Sequence, residues 1–317
     1  MFRFSSCSAI VVCVVAASAL ALPTQFTATA ITPTSSGEYV YSQATVNNTD
    51  VVYLKTQSGL RTVKTDGTGA KSLGLSWPVE NAGLNNNGQF VYAQGASSQN
   101  LYLSTLATAP VTTLLSNNPL YTGIQGSFRP DMNDNGQIVF ANSSNQLWLT
   151  NTAGTFFTNL TNVIGVNPEG SSRVSINNAG KIVYAKNGSI FLTDTTGSTP
   201  VNLTVGIPSL AGLSLFSPDI NNSGLIVAQD SRPSNREVWL FDIAGSTPVK
   251  VTNRSLDGEA AEPQINDNNQ IVIPRDPIGT PDPSSWQVFL YTPVPEPASL
   301  LIACLGLGLL SSRRPKR

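Results

Sequence analysis

The chain repeats itself, and the repeat restricts the folds open to it more than any other feature. Met132-Asn133-Asp134-Asn135-Gly136-Gln137-Ile138-Val139-Phe140 joins a turn-forming Asn/Gly cluster to a short apolar run. Close copies start at Leu84, Ile176, Ile220 and Ile265. Their glycine column falls at Gly88, Gly136, Gly180 and Gly224, with Asn269 in the last copy. The steps are 48, 44, 44 and 45 residues, and a fainter copy, Gly37-Glu38-Tyr39-Val40-Tyr41, stands 51 residues before Gly88. Repeats of this length mean units that stack or are arranged radially.

Each unit reads as β structure. In the clearest one, Phe128-Arg129-Pro130-Asp131-Met132 precedes the cluster and 137–140 follows it. Gln146-Leu147-Trp148-Leu149-Thr150 and 155–160 complete the unit. The last two strands are joined by Asn151-Thr152-Ala153-Gly154, matched by Asp194-Thr195-Thr196-Gly197 and Asp242-Ile243-Ala244-Gly245. Asp or Asn first and Gly fourth marks a type I turn followed by a residue free to take positive φ. Charged residues make up only 12% of the chain. Asn, Thr and Ser supply the missing polarity, and these residues favour turns and strand surfaces over helix interiors.

Four short antiparallel strands per unit describe a propeller blade. The expectation is an all-β protein whose body, residues 22–293, is a six-bladed β-propeller. Five or seven blades, or another β fold, are the alternatives. After Trp286-Gln287-Val288-Phe289-Leu290 the last unit has no outer strand of its own, and the alternating segment 24–31 could supply it. Closure of that kind removes exposed sheet edges. The unit also resembles the WD40-like repeat of TolB-type propellers, with Phe216-Ser217-Pro218-Asp219 keeping part of the Ser-Pro-Asp-Gly turn of that family. Most units have Asn-x-x-Gly instead, a departure from the TolB pattern.

The two ends are of a different kind. Residues 1–21 read as a signal peptide, with Arg3, an apolar core over 9–17 and Ala19-Leu20-Ala21 as the cleavage site. At the other end Pro295-Glu296-Pro297 precedes an apolar run over 298–310 and the basic Arg313, Arg314, Lys316 and Arg317. Thirteen residues make a helix of about 20 Å, short of a hydrocarbon core of about 30 Å, so the run reads as a marginal anchor with the basic end on the cytoplasmic side. Motif, short transmembrane helix and basic tail together resemble the PEP-CTERM sorting signal. That resemblance implies processing by an exosortase-like enzyme, transient membrane anchoring, delivery to the cell surface or beyond, and a link to exopolysaccharide and biofilm.

The body itself excludes several chemistries. It has no His and no Cys, since Cys7 and Cys13 lie in the leader and Cys304 in the tail. Disulfides, Cys/His zinc sites and His-based catalytic units are therefore absent from it. Its thirteen Lys and Arg face eighteen Asp and Glu, a charge of about −5 with no basic run. Nucleic acid, which requires a positive footprint, is not an expected partner.

What remains as candidate chemistry is modest. Asp131, Asn133 and Asn135 before Gly136 match the first half of a calcium loop. Position 12 is Asn142 rather than Glu, and the plainer reading is an Asx-type turn. Trp148, Trp239, Trp286, Phe191, Tyr102 and Tyr53 read as one aromatic column of inter-blade core. Charged residues before the clusters, Arg129, Arg173, Glu259 and Glu262 with Glu80 and Glu169, could line a channel and form a ligand face. The expected function is a non-enzymatic binding or scaffold module for polysaccharide or matrix proteins, with no cofactor. The alternatives are a carboxylate-dependent glycan hydrolase or lyase, and a calcium-dependent adhesin.

Overall fold

Asn clusters become the tight turns between the first and second strands of six antiparallel sheets. The structure, a computed structural model, describes residues 22–32, 40–56, 59–75, 79–95, 100–107, 111–121, 124, 128–165, 167–169, 172–233, 235–276 and 286–294. The signal-peptide segment, Gly37 and the tail from Pro295 lie outside them. Among the described residues no helix is long and apolar enough to cross a membrane.

Blade 1 contains Val40–Val46, Val51–Thr56, Gly59–Lys64 and Lys71–Ser72, and blade 2 contains Val79–Leu84, Gln89–Gln94, Asn100–Thr105 and Thr113–Leu114. Blade 3 is Phe128–Met132, Gln137–Ala141, Leu147–Asn151 and Phe157–Asn159. Blade 4 is Val174–Ile176, Lys181–Lys186, Ser189–Asp194 and Val201–Asn202, and blade 5 is Leu215–Ile220, Leu225–Asp230, Val238–Asp242 and Val249–Lys250. In blade 6 the innermost strand is split into Glu259–Ala260 and Gln264–Ile265, followed by Ile271–Asp276 and Gln287–Pro293. Its outer strand is Phe26–Ala30, which pairs antiparallel with Gln287–Pro293 from Phe26 opposite Pro293 to Ala30 opposite Phe289. The six-bladed expectation and the closing role of 24–31 both hold.

The first unit needs a correction. Its turn is Asn47-Asn48-Thr49-Asp50, not the copy centred on Gly37, so the step to blade 2 is shorter than the Gly37 alignment implied. Asp50 takes φ 61°, where Gly88, Gly136 and Gly180 take 71–75° and Asn269 takes 59°. Asp and Asn tolerate this left-handed region better than other side chains, which lets Asp50 and Asn269 replace the glycine.

Apolar residues of adjacent blades form six separate clusters, one between each pair of neighbours. Val183, Ile190, Ile220 and Ile226 fill the space between blades 4 and 5, and Val46, Val52, Val272 and Leu290 close the ring between blades 6 and 1. Cross-strand pairing sets the aromatic column. Tyr102, Trp148, Phe191, Trp239 and Phe289 stand opposite Tyr92, Phe140, Tyr184, Ala228 and Ile273, and Arg61 opposite Leu54 takes the place in blade 1. All are half-buried against the clusters, and Tyr92 and Tyr102 stack at 5.2 Å. Trp286 and Tyr53 are off this column, because Trp286 precedes its strand and Tyr53 lies on the second strand of blade 1.

The leading Asn does two jobs in every turn but that of blade 2. Asn177 Oδ1 accepts from the N–H groups of Ala179 at 3.1 Å and Lys181 at 3.0 Å, while its Nδ2 donates to the carbonyl of Asn221 in the next blade at 3.1 Å. Asn177 is 5% exposed, so water cannot replace these bonds. Asn177→Ala should lower the unfolding free energy by roughly 2 kcal/mol, as expected for orphaned buried donors. Urea denaturation checks this against the exposed Asn135→Ala, which should change little.

Candidate functional site

Innermost strands run toward the turns, so the turns crowd around one end of the central channel. The six leading asparagines are Asn47, Asn85, Asn133, Asn177, Asn221 and Asn266. Five of them, all but Asn85, donate from Nδ2 to the equivalent carbonyl of the next blade at 2.9–3.4 Å, with Asn266 reaching round to Asn47 at 3.0 Å. Asn85 Nδ2 instead donates to Gln89 Oε1 of its own blade at 3.0 Å. The second residues of the turns form a complete circle. In order around the ring they are Asn48, Asn86, Asp134, Asn178, Asn222 and Asp267. Every backbone N–H here donates to the Oδ1 of the next residue in the circle, at 2.6–2.8 Å throughout.

This rim reads Asn-Asn-Asp twice, which sets its two carboxylates on opposite blades. Asp134 Oδ2 accepts Nδ2–H from Asn86 at 2.9 Å and Asn178 at 2.8 Å. Asp267 Oδ2 accepts from Asn222 at 2.6 Å and Asn48 at 2.5 Å. Burial alone would raise the Asp134 pKa, but the bonds from Asn178 and Asn86 outweigh it and hold the carboxyl below its usual range. Beneath the rim lie Val46, Leu84, Met132, Ile176, Ile220 and Ile265. The resulting cup encloses about 370 Å³, part of it open to solvent, and no lysine or arginine lines it.

Deeper in the channel a third set of side chains links the blades. Asp131 Oδ2 accepts from Ile176 N at 3.0 Å, and Asp219 Oδ2 accepts from Ile265 N at 2.8 Å. Ser175 Oγ accepts from Ile220 N at 3.3 Å and donates to Asp219 Oδ1 at 2.7 Å. The equivalent residue of blade 2 is Gly83, and a Cβ there would meet Asp131 Cα at 2.5 Å. Arg173 reaches between the two acids. Its Nη2 lies 3.2 Å from Asp131 Oδ1, and its Nε lies 3.9 Å from Asp219 Oδ1, an ion-pair distance too long for a hydrogen bond.

At the far end the innermost strands bulge. Arg129, Ser217 and Glu262 each precede a proline (Pro130, Pro218 and Pro263), and they take φ of 47°, 47° and 36°. Proline cannot donate to the ladder and is tolerated at bulges, which re-aim side chains. Here the bulges of blades 3, 5 and 6 bring the three residues together. Arg129 Nη1 is 2.6 Å from Glu262 Oε1 and 3.2 Å from Ser217 Oγ. The ion pair spans the opposite blades 3 and 6.

Of the charged residues expected to line the channel, Arg129 and Glu262 pair with each other and Arg173 lies between Asp131 and Asp219, so all three are engaged with protein partners. Glu259 is not with them: it binds Arg254 at 2.8 Å and Arg236 at 3.2 Å. Glu169 is exposed, and the Glu80 side chain is outside the described set. The calcium-like loop is spent on protein contacts. Both Asp131 oxygens are taken as above, Asn133 Oδ1 accepts from Gln137 N at 3.0 Å, and Asn135 donates to Asn178 O at 2.8 Å. Among the described residues no group of three or more His, Cys, Asp or Glu could hold a metal ion. The rim residues Asn48, Asn86, Asn178, Asn222 and Asp267 were not singled out from the sequence. Their signal was present as an unbroken Asn/Asp column at the second turn position.

The deep acids carry a pH dependence. Burial pushes Asp219 up to about 7, with the Arg173 guanidinium pulling it down and the Asp131 carboxylate pushing it up. An unperturbed aspartate titrates near 3.8, so over the interval between these values the folded chain holds a proton that the unfolded chain has lost. The stability contributed is complete below the lower value and is lost as pH rises through the upper one. The stability difference between the protein and Asp219→Asn should follow that trend. Urea titrations across the interval measure it, and a difference that does not change with pH would contradict the assignment.

No protein-family model and no curated protein matches the sequence. Solved structures resemble it in fold. A structural-genomics protein of unknown function from Bacteroides thetaiotaomicron has a TM-score of 0.61 at 9% identity, over 84% of this chain and 76% of that one. The regucalcin of Agrobacterium tumefaciens, described as a calcium-binding protein, has a TM-score of 0.51 at 13% identity over 80% and 89%. A TolB-like protein from the same organism has 0.50 at 13% over 77% and 79%. At these identities the likeness concerns the propeller fold alone.

Proposed function

We propose that the chain is an exported, non-enzymatic binding or scaffold module whose ligand-binding place is the amide-rimmed mouth of its channel. Residues 1–21 carry it out of the cell, and the PEP-CTERM-like tail holds it in the membrane until an exosortase-like enzyme processes it. Its partners are exopolysaccharide or matrix proteins at the cell surface. The observation that carries the binding reading is the rim itself. Four amides and two carboxylates are fixed at regular spacing around a cup, and each amide has further donor and acceptor capacity beyond its bonds in the circle. Such an array suits a hydroxyl-rich chain.

The commitments of the acids favour binding over hydrolysis. Glycoside hydrolysis needs two carboxyl groups flanking one bond. Glu262 is held by Arg129, and Glu259 is held by Arg236 and Arg254. Two experiments test the reading. Purified full-length protein should bind an exopolysaccharide or matrix fraction without releasing reducing ends. Steady turnover abolished by Glu262→Gln or Glu259→Gln would overturn it in favour of an enzyme. Deleting residues 295–317 should shift the protein from the membrane fraction to the medium, and an unchanged distribution would remove the sorting role of the tail.

A further inference from the structure

Both ends of the described chain leave the propeller on one face, and that face is the one bearing the mouth. In every blade the third strand returns toward the first turn. In blade 3, for example, Thr152 N donates to Gly136 O at 2.9 Å, and in blade 4 Thr195 N donates to Gly180 O at 3.1 Å. Blade 6 ends on its third strand. Tyr291 lies opposite Ile271, next to the turn that carries Asp267, and the chain then passes Pro293 to Val294. Val294 N donates to Gln25 O at 2.9 Å, so the incoming end is fixed beside the outgoing one.

Only Pro295, Glu296 and Pro297 separate Val294 from the apolar run that starts at Ala298. Four Cα steps span at most about 14 Å. Such a tether keeps the mouth-side edge of blade 6 close to the boundary of whatever bilayer receives the run. Charge on this face does not assist, since Asp134, Asp194, Asp242 and Asp267 lie among its turns. The short covalent link alone sets the orientation.

Resting on the reading of residues 295–317 as a membrane-held tail, we propose that the mouth face is the membrane-facing side of the anchored protein. The rim site is then closed to large polymers until the tail is cut. The occupant of the face in the anchored state is the bilayer surface. Small solutes still diffuse beneath the disc, whereas a polysaccharide chain is excluded by size. Release frees the rim and makes processing the step that switches binding on.

The body has no cysteine, which makes labelling a direct test in the full-length protein with Cys7, Cys13 and Cys304 all replaced by serine as background. Ser223→Cys places a thiol in a mouth-face turn, and Ser144→Cys places one in the turn between the second and third strands of blade 3, on the opposite face. Both positions are exposed. The probes are a small maleimide and a maleimide carried on a polyethylene glycol chain. They are applied to protein reconstituted in phospholipid vesicles with the body outside, and to the same protein after proteolytic release. In the anchored state the polymer reagent should modify Ser223→Cys several-fold more slowly than Ser144→Cys, while the small reagent treats the two alike. Release should abolish the difference. Equal polymer rates in vesicle-bound protein would overturn the orientation and leave the tail reading intact. Protein that fails to enter vesicles at all would overturn both.

Discussion

Replacing Arg173 by methionine should lower the unfolding free energy by about 3–5 kcal/mol, the cost of removing one partner from a buried ionic cluster. The side chain is 2% exposed, and the two acids on either side of it are each no more than 9% exposed. Without the guanidinium, Asp131 and Asp219 face one another in the channel with no cation between them. Both also accept backbone N–H bonds from the following blade, so neither is free to turn away. Asp131→Asn and Asp219→Asn added to Arg173→Met should recover part of the loss, because no unpaired charge then remains. Urea unfolding of the single and triple variants measures both effects. A loss of under about 1 kcal/mol for the single variant, as for an exposed pair, would mean that water reaches the cluster.

Gly83→Ala should be the most damaging change that adds a single carbon. The new Cβ would sit 2.5 Å from Asp131 Cα, 2.6 Å from Asp131 Oδ1 and 2.8 Å from Met132 N. Two of these are backbone atoms of the neighbouring innermost strand, held by pairing to Gln137–Ala141. Blades 2 and 3 must separate to admit it, and the bonds from Asn86 and Asn87 to Asp134 resist that separation. A loss of about 3 kcal/mol or more is expected, at the upper end of overpacking costs. Gly74→Ala is the control. Gly74 takes φ 69° with nothing within 4 Å of an added Cβ, so that variant reports backbone strain of about 1–2 kcal/mol without a clash. Equal losses for the two would show that close approach of the blades is not what Gly83 provides.

Much of the ring was legible in the sequence because each blade reuses one turn. A column of glycine is easy to align, and the apolar run after it fixes the second strand. The first blade escaped that alignment for a physical reason. Asp50 supplies the left-handed residue, so a search keyed on glycine slides back to Gly37. The aromatic column slipped with it at Tyr53. The missing outer strand of blade 6 was legible, since an incomplete last unit and an alternating first segment are complementary halves of one sheet.

The site was less legible than the fold. Arg129 and Glu262 are 133 positions apart in the sequence, and only closure of the ring sets their blades opposite one another. The bulges that aim them inward follow from Pro130 and Pro263, a local signal whose consequence is not local. Asp131 allowed a calcium reading beside the plainer Asx-turn one because the pattern of oxygen-bearing residues is shared by both. The structure separates these by showing where each oxygen points. The Asn/Asp rim was hidden in plain view, because residues that cap a turn and residues that ring a channel carry the same side chains.

The central claim is that the rim binds the ligand, and one titration tests it most directly. The full-length protein, Asn86→Ala with Asn222→Ala, and Ser144→Ala are released from their tails and titrated with the exopolysaccharide fraction, each after its folding is confirmed by an unchanged near-ultraviolet spectrum. Binding should be lost or weakened at least several-fold in the rim double variant and unchanged in Ser144→Ala on the opposite face. A folded rim variant that binds as tightly as the parent would contradict the account.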